Sequence, residues 1–127
     1  MSRCSLDNYG AGYEVVIGWD GQLQTFFAQV IDINSEEKED EGPFIWLGVS
    51  PRECSSPEPL IEAIKPYATG FDTELLLSIL KLDKKTNSER RYFFQDNELC
   101  VCSEDKEDLL RKLQEEKKGF WRRLFRL

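Results

Sequence analysis

Tyr13-Glu14-Val15-Val16-Ile17-Gly18-Trp19-Asp20-Gly21-Gln22-Leu23-Gln24-Thr25-Phe26-Phe27-Ala28-Gln29-Val30 consists of two apolar runs on either side of Asp-Gly. Asp-Gly between such runs is a strong hairpin signal, because both residues tolerate the positive φ of a tight turn. The first run, Tyr13 to Gly18, is β-branched and predicts a strand. Leu23 to Ile33 predicts its partner. There Thr25, Phe27 and Gln29 alternate imperfectly with Phe26, Ala28 and Val30, so both faces of this strand are expected to be partly covered. Pro43 to Val49 (PFIWLGV) predicts a third, buried strand. Between them, Asn34 to Gly42 carries Glu36, Glu37, Glu39, Asp40 and Glu41 and nothing to bury, which reads as a solvated acidic loop. A cation site there would need fixed oxygen geometry and a turn glycine inside the loop.

Further along, Ser56-Pro57-Glu58 has a helix start signature: a capping Ser, a Pro at the first helical position and an acid near the positive end. Leu60, Ile61, Ile64 and Tyr67 then predict a helix over about 57–68, with Pro66 awkward near its end. Asp72 or Thr73 is expected to cap a second helix, whose apolar face is Leu75, Leu76, Ile79, Leu80 and Leu82. Lys81, Lys84 and Lys85 suit its negative end. Arg91 to Gln95 and Glu98 to Cys102 flank Asp96-Asn97, a second hairpin. Ser103 is expected to cap a last helix over 104–127. Residues 1–12, with Asn8, Gly10 and Gly12, read as a loose lead-in. The sum is a single α+β domain with its body over 13–103. The order β-β-β-α-α-β-β-α predicts an antiparallel sheet built from hairpins, with helices on one face.

A chain of 127 residues is long enough to bury a core without staples. Its net charge of −7 repels phosphate, so no direct nucleic-acid binding is expected. No run of about 18 apolar residues suggests a membrane span. The first eight residues lack the apolar centre of a signal peptide. Four cysteines without an export signal read as reduced thiols, and a cytoplasmic location is expected.

Catalytic templates fit poorly. The chain has no histidine, which removes Ser-His-Asp and Cys-His catalysis and imidazole metal sites. Cys100 and Cys102 share a strand face and form the one close cysteine pair. A zinc site with Cys4 and Cys54 would need a second such pair, so core thiols and no metal are expected. Gly10-x-Gly12 lacks the preceding strand of a nucleotide-binding turn. Asp20 reads as a turn former, and Trp19 and Trp46 as core side chains. No cofactor and no enzymatic activity are expected.

Taken together, Gly18-Trp19-Asp20, Thr25-Phe26-Phe27, Trp46-Leu47-Gly48 and Pro66-Tyr67-Ala68 resemble the shared pattern of a group of small uncharacterised bacterial proteins. The resemblance spans about residues 13–85 and implies a common domain of bacterial origin. It carries no activity, and the part after Arg90 departs from the pattern.

Functional content concentrates at the C-terminus. Of the 17 Lys/Arg, five fall within the eleven residues from Lys117 to Leu127, leaving 12 elsewhere against all 24 Asp/Glu. Leu110, Leu113, Lys117, Phe120, Trp121, Leu124 and Phe125 fall on one helical stripe. Three fates are open to it: docking on the protein's own body, contact with an anionic membrane, or contact with a partner protein. Gly119 reads as a hinge in the helix. The candidate binding residues are Lys117, Lys118, Phe120, Trp121, Arg122, Arg123, Leu124, Phe125 and Arg126. The leading expectation is a small acidic adaptor that uses this basic aromatic helix. The alternative is an acidic decoy that mimics nucleic acid and inhibits a basic protein, motivated by Glu36 to Glu41.

Overall fold

The computed structural model describes residues 1–8, 12–32 and 45–125, with side chains in the last segment as far as Lys118. The acidic loop at Asn34 to Gly42, on which the decoy reading rests, lies outside the described residues, as do Pro43 and Phe44. Six strands form one sheet in the order β4-β3-β2-β1-β5-β6. They are β1 (Arg3–Asn8), β2 (Tyr13–Asp20), β3 (Thr25–Asp32), β4 (Ile45–Leu47), β5 (Arg91–Gln95) and β6 (Glu98–Val101). The helices are α1 (Glu58–Ile64), α2 (Thr73–Thr86) and α3 (Lys106–Phe125). The α+β class and the rough element order match the expectation.

The lead-in does not stay loose. Arg3–Asn8 is a central strand, antiparallel to β2 and parallel to β5, so the sheet is mixed rather than purely antiparallel. The reason is alternation: Cys4 and Leu6 drop into the core at 0% and 1% exposure while their neighbours face the other way. Across the sheet, Leu47, Ala28, Ile17, Cys4, Tyr92 and Val101 stand in one core row. The helices cover this face: α1 lies on β3, α2 on β2, and α3 on β6 and α2. Their buried Leu60, Ile64, Leu76, Ile79, Leu80 and Leu109 complete the core.

Local chemistry sets the connections. Asp20 Oδ1 accepts from the amides of Gln22 and Leu23 at 3.0 and 3.2 Å. The first hairpin therefore closes through an Asp side chain over 21–24 rather than a two-residue turn. Asp96 and Asn97, with φ of 51° and 66°, make the second hairpin with the double positive φ of a I′ turn. Asp72 caps α2 by accepting from the Leu75 amide, and Asn87 ends it in the left-handed region.

Helix α1 is shorter than expected, because the ring of Pro66 forbids another turn. Ser56 does not cap it; Pro57 occupies that position without a side-chain bond. Ser103 does not cap α3 either. Its hydroxyl accepts from the Arg91 amide at 3.0 Å, while Asp105 accepts from the Glu107 amide. Strand β4 is a short edge strand rather than a buried one. Ile45 and Leu47 turn inward, and Trp46, between them, turns out with 56% of its surface exposed. Trp19 does lie in the core, edge-on to Phe26 at 5.0 Å.

Ser2 clamps the end of β2. Its amide donates to the Trp19 carbonyl at 2.8 Å, and its hydroxyl accepts from the Trp19 amide at 2.9 Å. This closeness needs Gly18, where a Cβ would sit 2.1 Å from the Ser2 carbonyl oxygen and 2.9 Å from the Phe27 ring. Gly18→Ala is expected to destabilise by about 1–3 kcal/mol, seen as a lower urea midpoint with an unchanged m-value.

Candidate functional site

The C-terminal helix docks by its first half. Leu109 and Leu113 are buried at 0% and 6% exposure, and Leu110 packs partly against the same core. Past Leu113 no described side chain of α3 is buried: Gln114, Glu115, Lys117 and Lys118 are exposed. Glu116 is half-buried and pairs with Lys85 at 2.8 Å. The helix continues to Phe125, about 18 Å beyond Leu113 at ~1.5 Å per residue. Of the candidate residues, the described side chains are thus Lys117 and Lys118, both exposed. Phe120, Trp121, Arg122, Arg123, Leu124 and Phe125 continue the helical backbone, with side chains outside the described residues, and Arg126 lies outside altogether. Between α2 and α3 lies a groove of about 500 Å³, lined by Ser78, Leu82, Leu113 and Lys117 with Lys81, Lys85 and Glu116.

A buried ion network holds the start of α3. Arg90, 5% exposed, donates to Asp83 of α2 and to Glu104 just ahead of α3. Lys112 of α3 closes the set, donating to the other Glu104 oxygen at 2.9 Å. Partial burial raises the Glu104 carboxyl, but hydrogen bonds from Arg90 and Lys112 outweigh it and hold it below the usual carboxylate range. Asp83 behaves oppositely. Burial pushes its carboxyl up to about 7, against the pull of Arg90. Its Oδ2 has no well-formed hydrogen bond within the described residues, although the Ser2 hydroxyl nearby still favours the ionised form. Burial also raises the neighbouring Cys4 thiol and Tyr92 hydroxyl.

The other singled-out residues do not converge. Asp20 is engaged in its turn. Cys4 is buried, Cys54 and Cys100 are half-buried, and Cys102 is exposed beyond the end of β6; all four are free thiols. No group of three or more acidic or cysteine side chains close enough to hold a metal ion occurs among the described residues. Burial, then the Glu53 carboxylate, raises the Cys54 thiol, which opposes thiolate formation.

One feature was not anticipated. On the sheet face away from the helices, Trp46, Gln29, Val16, Ser5, Phe93 and Cys100 form the row opposite to the core row. Met1, Trp46 and Val49, exposed at 55%, 56% and 46%, all rim one cavity of about 200 Å³ over Val16 and Phe27. The signal for it in the sequence was the imperfect alternation of β3, which places Phe27 on this face.

No family model matches the chain, and neither a curated protein nor a solved structure does. Among the described residues, no helix is long and apolar enough to cross a membrane.

The ion network has a measurable signature. Asp83 holds its proton up to about pH 7 when folded, against an ordinary value of 3.8. Between those values the native state binds more protons than the unfolded chain, so stability falls as pH rises. The contribution is complete at the acid end and lost as pH passes the folded value. With no histidine in the chain, no imidazole titrates across the window. Urea melts from pH 5 to 7.5 are expected to show stability falling by up to about 1 kcal/mol per pH unit, a slope that Asp83→Asn removes.

Proposed function

We propose that this protein is a non-enzymatic interaction module, whose C-terminal turns of α3 contact a protein partner or an anionic membrane surface. The observation that supports this is that, among the described side chains of α3, burial ends at Leu113 and Lys117 and Lys118 are exposed. Its last buried described side chain is Leu113, yet the helix runs on to Phe125. The sequence of those last turns is cationic and aromatic, a composition suited to headgroups or to a hydrophobic groove on a partner. Near an anionic surface each Lys or Arg contributes ~1 kcal/mol, so five reach about 5 kcal/mol before repulsion from the acidic body. On this reading the first half of α3 holds the fold, and its last turns make the contact.

The test is co-sedimentation with phosphatidylserine-containing and with pure phosphatidylcholine vesicles, comparing the full chain with one ending at Glu116. The shortened chain keeps Leu109, Leu113 and the Lys85–Glu116 pair, and its circular dichroism is expected to show the body intact. Vesicle binding that needs both phosphatidylserine and the last eleven residues, and that weakens with salt, identifies a membrane contact. Absence of vesicle binding by either form directs the search to a protein ligand of the same segment. If removing 117–127 alters neither vesicle nor partner binding, the reading fails.

A further inference from the structure

The helix-free face of the sheet has two properties that occur together nowhere else among the described residues. The first is apolar exposure. Among the described residues, the three large hydrophobic side chains that stand open to solvent, Met1, Trp46 and Val49, surround a single cavity. The second is unpaired charge. Of the described arginines, Arg90 and Arg111 are bound to carboxylates. Arg3 and Arg91 make no ion pair with a described carboxylate, and they are register partners on the parallel strands β1 and β5. Arg3 lines the cavity and, with Arg91, a second hollow beside it that also includes Phe93. Arg52 is likewise unpaired among the described residues, and its amide donates to the carbonyl of Leu23, on the cavity wall. Asp20 is the acid on that wall, and its Oδ1 is occupied by two backbone amides.

We propose that this face docks an acidic segment of a partner protein, with one apolar side chain seated in the cavity and carboxylates on Arg3 and Arg91. Charge complementarity selects the occupant. Two adjacent guanidiniums without a carboxylate among the described residues are open to an incoming anion, and Arg binds carboxylates in a bidentate, directional way. Size selects the anchor. At about 200 Å³ the cavity is smaller than the roughly 300–1,000 Å³ of small-molecule sites and suits a single side chain. A polyanion such as single-stranded RNA fits less well, because it takes a long basic groove with successive stacking aromatics, and this face offers one exposed Trp beside its arginines. Trp beside Arg at the rim of a pocket is also the composition that dominates binding energy at protein interfaces.

Selection of a random peptide display library on the full chain tests the proposal. Enriched peptides are expected to carry an aromatic or aliphatic residue flanked by Asp or Glu. Binding of an enriched peptide, followed by fluorescence polarisation, is expected to weaken by roughly tenfold or more in Trp46→Ala and in Arg3→Glu/Arg91→Glu. A peptide with Lys in place of its acids is expected to recover binding to the double arginine variant. Both variants alter solvent-facing side chains, and unchanged thermal melts confirm that they fold. Loss of residues 117–127 is expected to leave peptide affinity unchanged, which separates this surface from the α3 contact. Enrichment without acids, or affinity insensitive to these variants, overturns the proposal. So does a dimer in solution that Trp46→Ala dissociates, or poly(U) binding that the arginine variant abolishes.

Discussion

Arg90 is the side chain on which three separate parts of the chain meet. It enters from the residue before β5, reaches Asp83 on α2 and takes Glu104 at the approach to α3. A guanidinium this deeply buried is tolerable only with its partners in place, since removing one leaves an uncompensated charge in a low-dielectric interior. The network therefore specifies position more than it adds stability. It sets where α3 begins, and so which leucines of α3 reach the core. Burial of Asp83, only partly offset by Arg90, is what carries the carboxyl so far from its ordinary range.

A second constraint is geometric. The helices use one face of the sheet, so everything that alternates with a core residue is delivered to the other face. Trp46 is there because Ile45 and Leu47 are not, and Phe27 because Phe26 and Ala28 are not. The chain thus presents two candidate surfaces of unlike character: a helix whose last turns are cationic in sequence, and a sheet face with an apolar hollow and arginines that make no ion pair among the described residues. They lie on different elements, and each is proposed to take its own ligand.

Much of the architecture was legible where local chemistry decides it. The Asp20 and Asp96-Asn97 turns, the Asp72 cap and the leucine face of α2 each follow from a few adjacent residues. What was not legible depends on partners distant in sequence. Arg3 to Asn8 offers Cys4 and Leu6 as its inward apolar residues, a signal too thin to mark a strand until β2 and β5 flank it. Trp46 sits in an apolar run, and hydrophobicity alone predicts burial; the period of two, with helices on one side, puts it outside. Asp83 lies in Lys81-Leu-Asp-Lys-Lys85, which reads as a solvated charge run, and Arg90 becomes its partner only through the fold. For the candidate site, the helical stripe that includes Lys117 was legible but its fate was open between docking, membrane and partner, whereas the sheet-face hollow is a product of topology.

The position of β1 also orders events in time. It precedes the other five described strands in the chain, yet it lies between β2 and β5, and its Arg3 stands in register with Arg91. Hairpins β2–β3 and β5–β6 need only local loop closure and form early and independently. Joining them through β1 requires a long-range parallel pairing, whose loop entropy is met only when nearly the whole chain is present. During synthesis, the β1–β2–β3 edge is therefore open until β5 emerges from the ribosome, exposing an unpaired strand of the kind that chaperones shield.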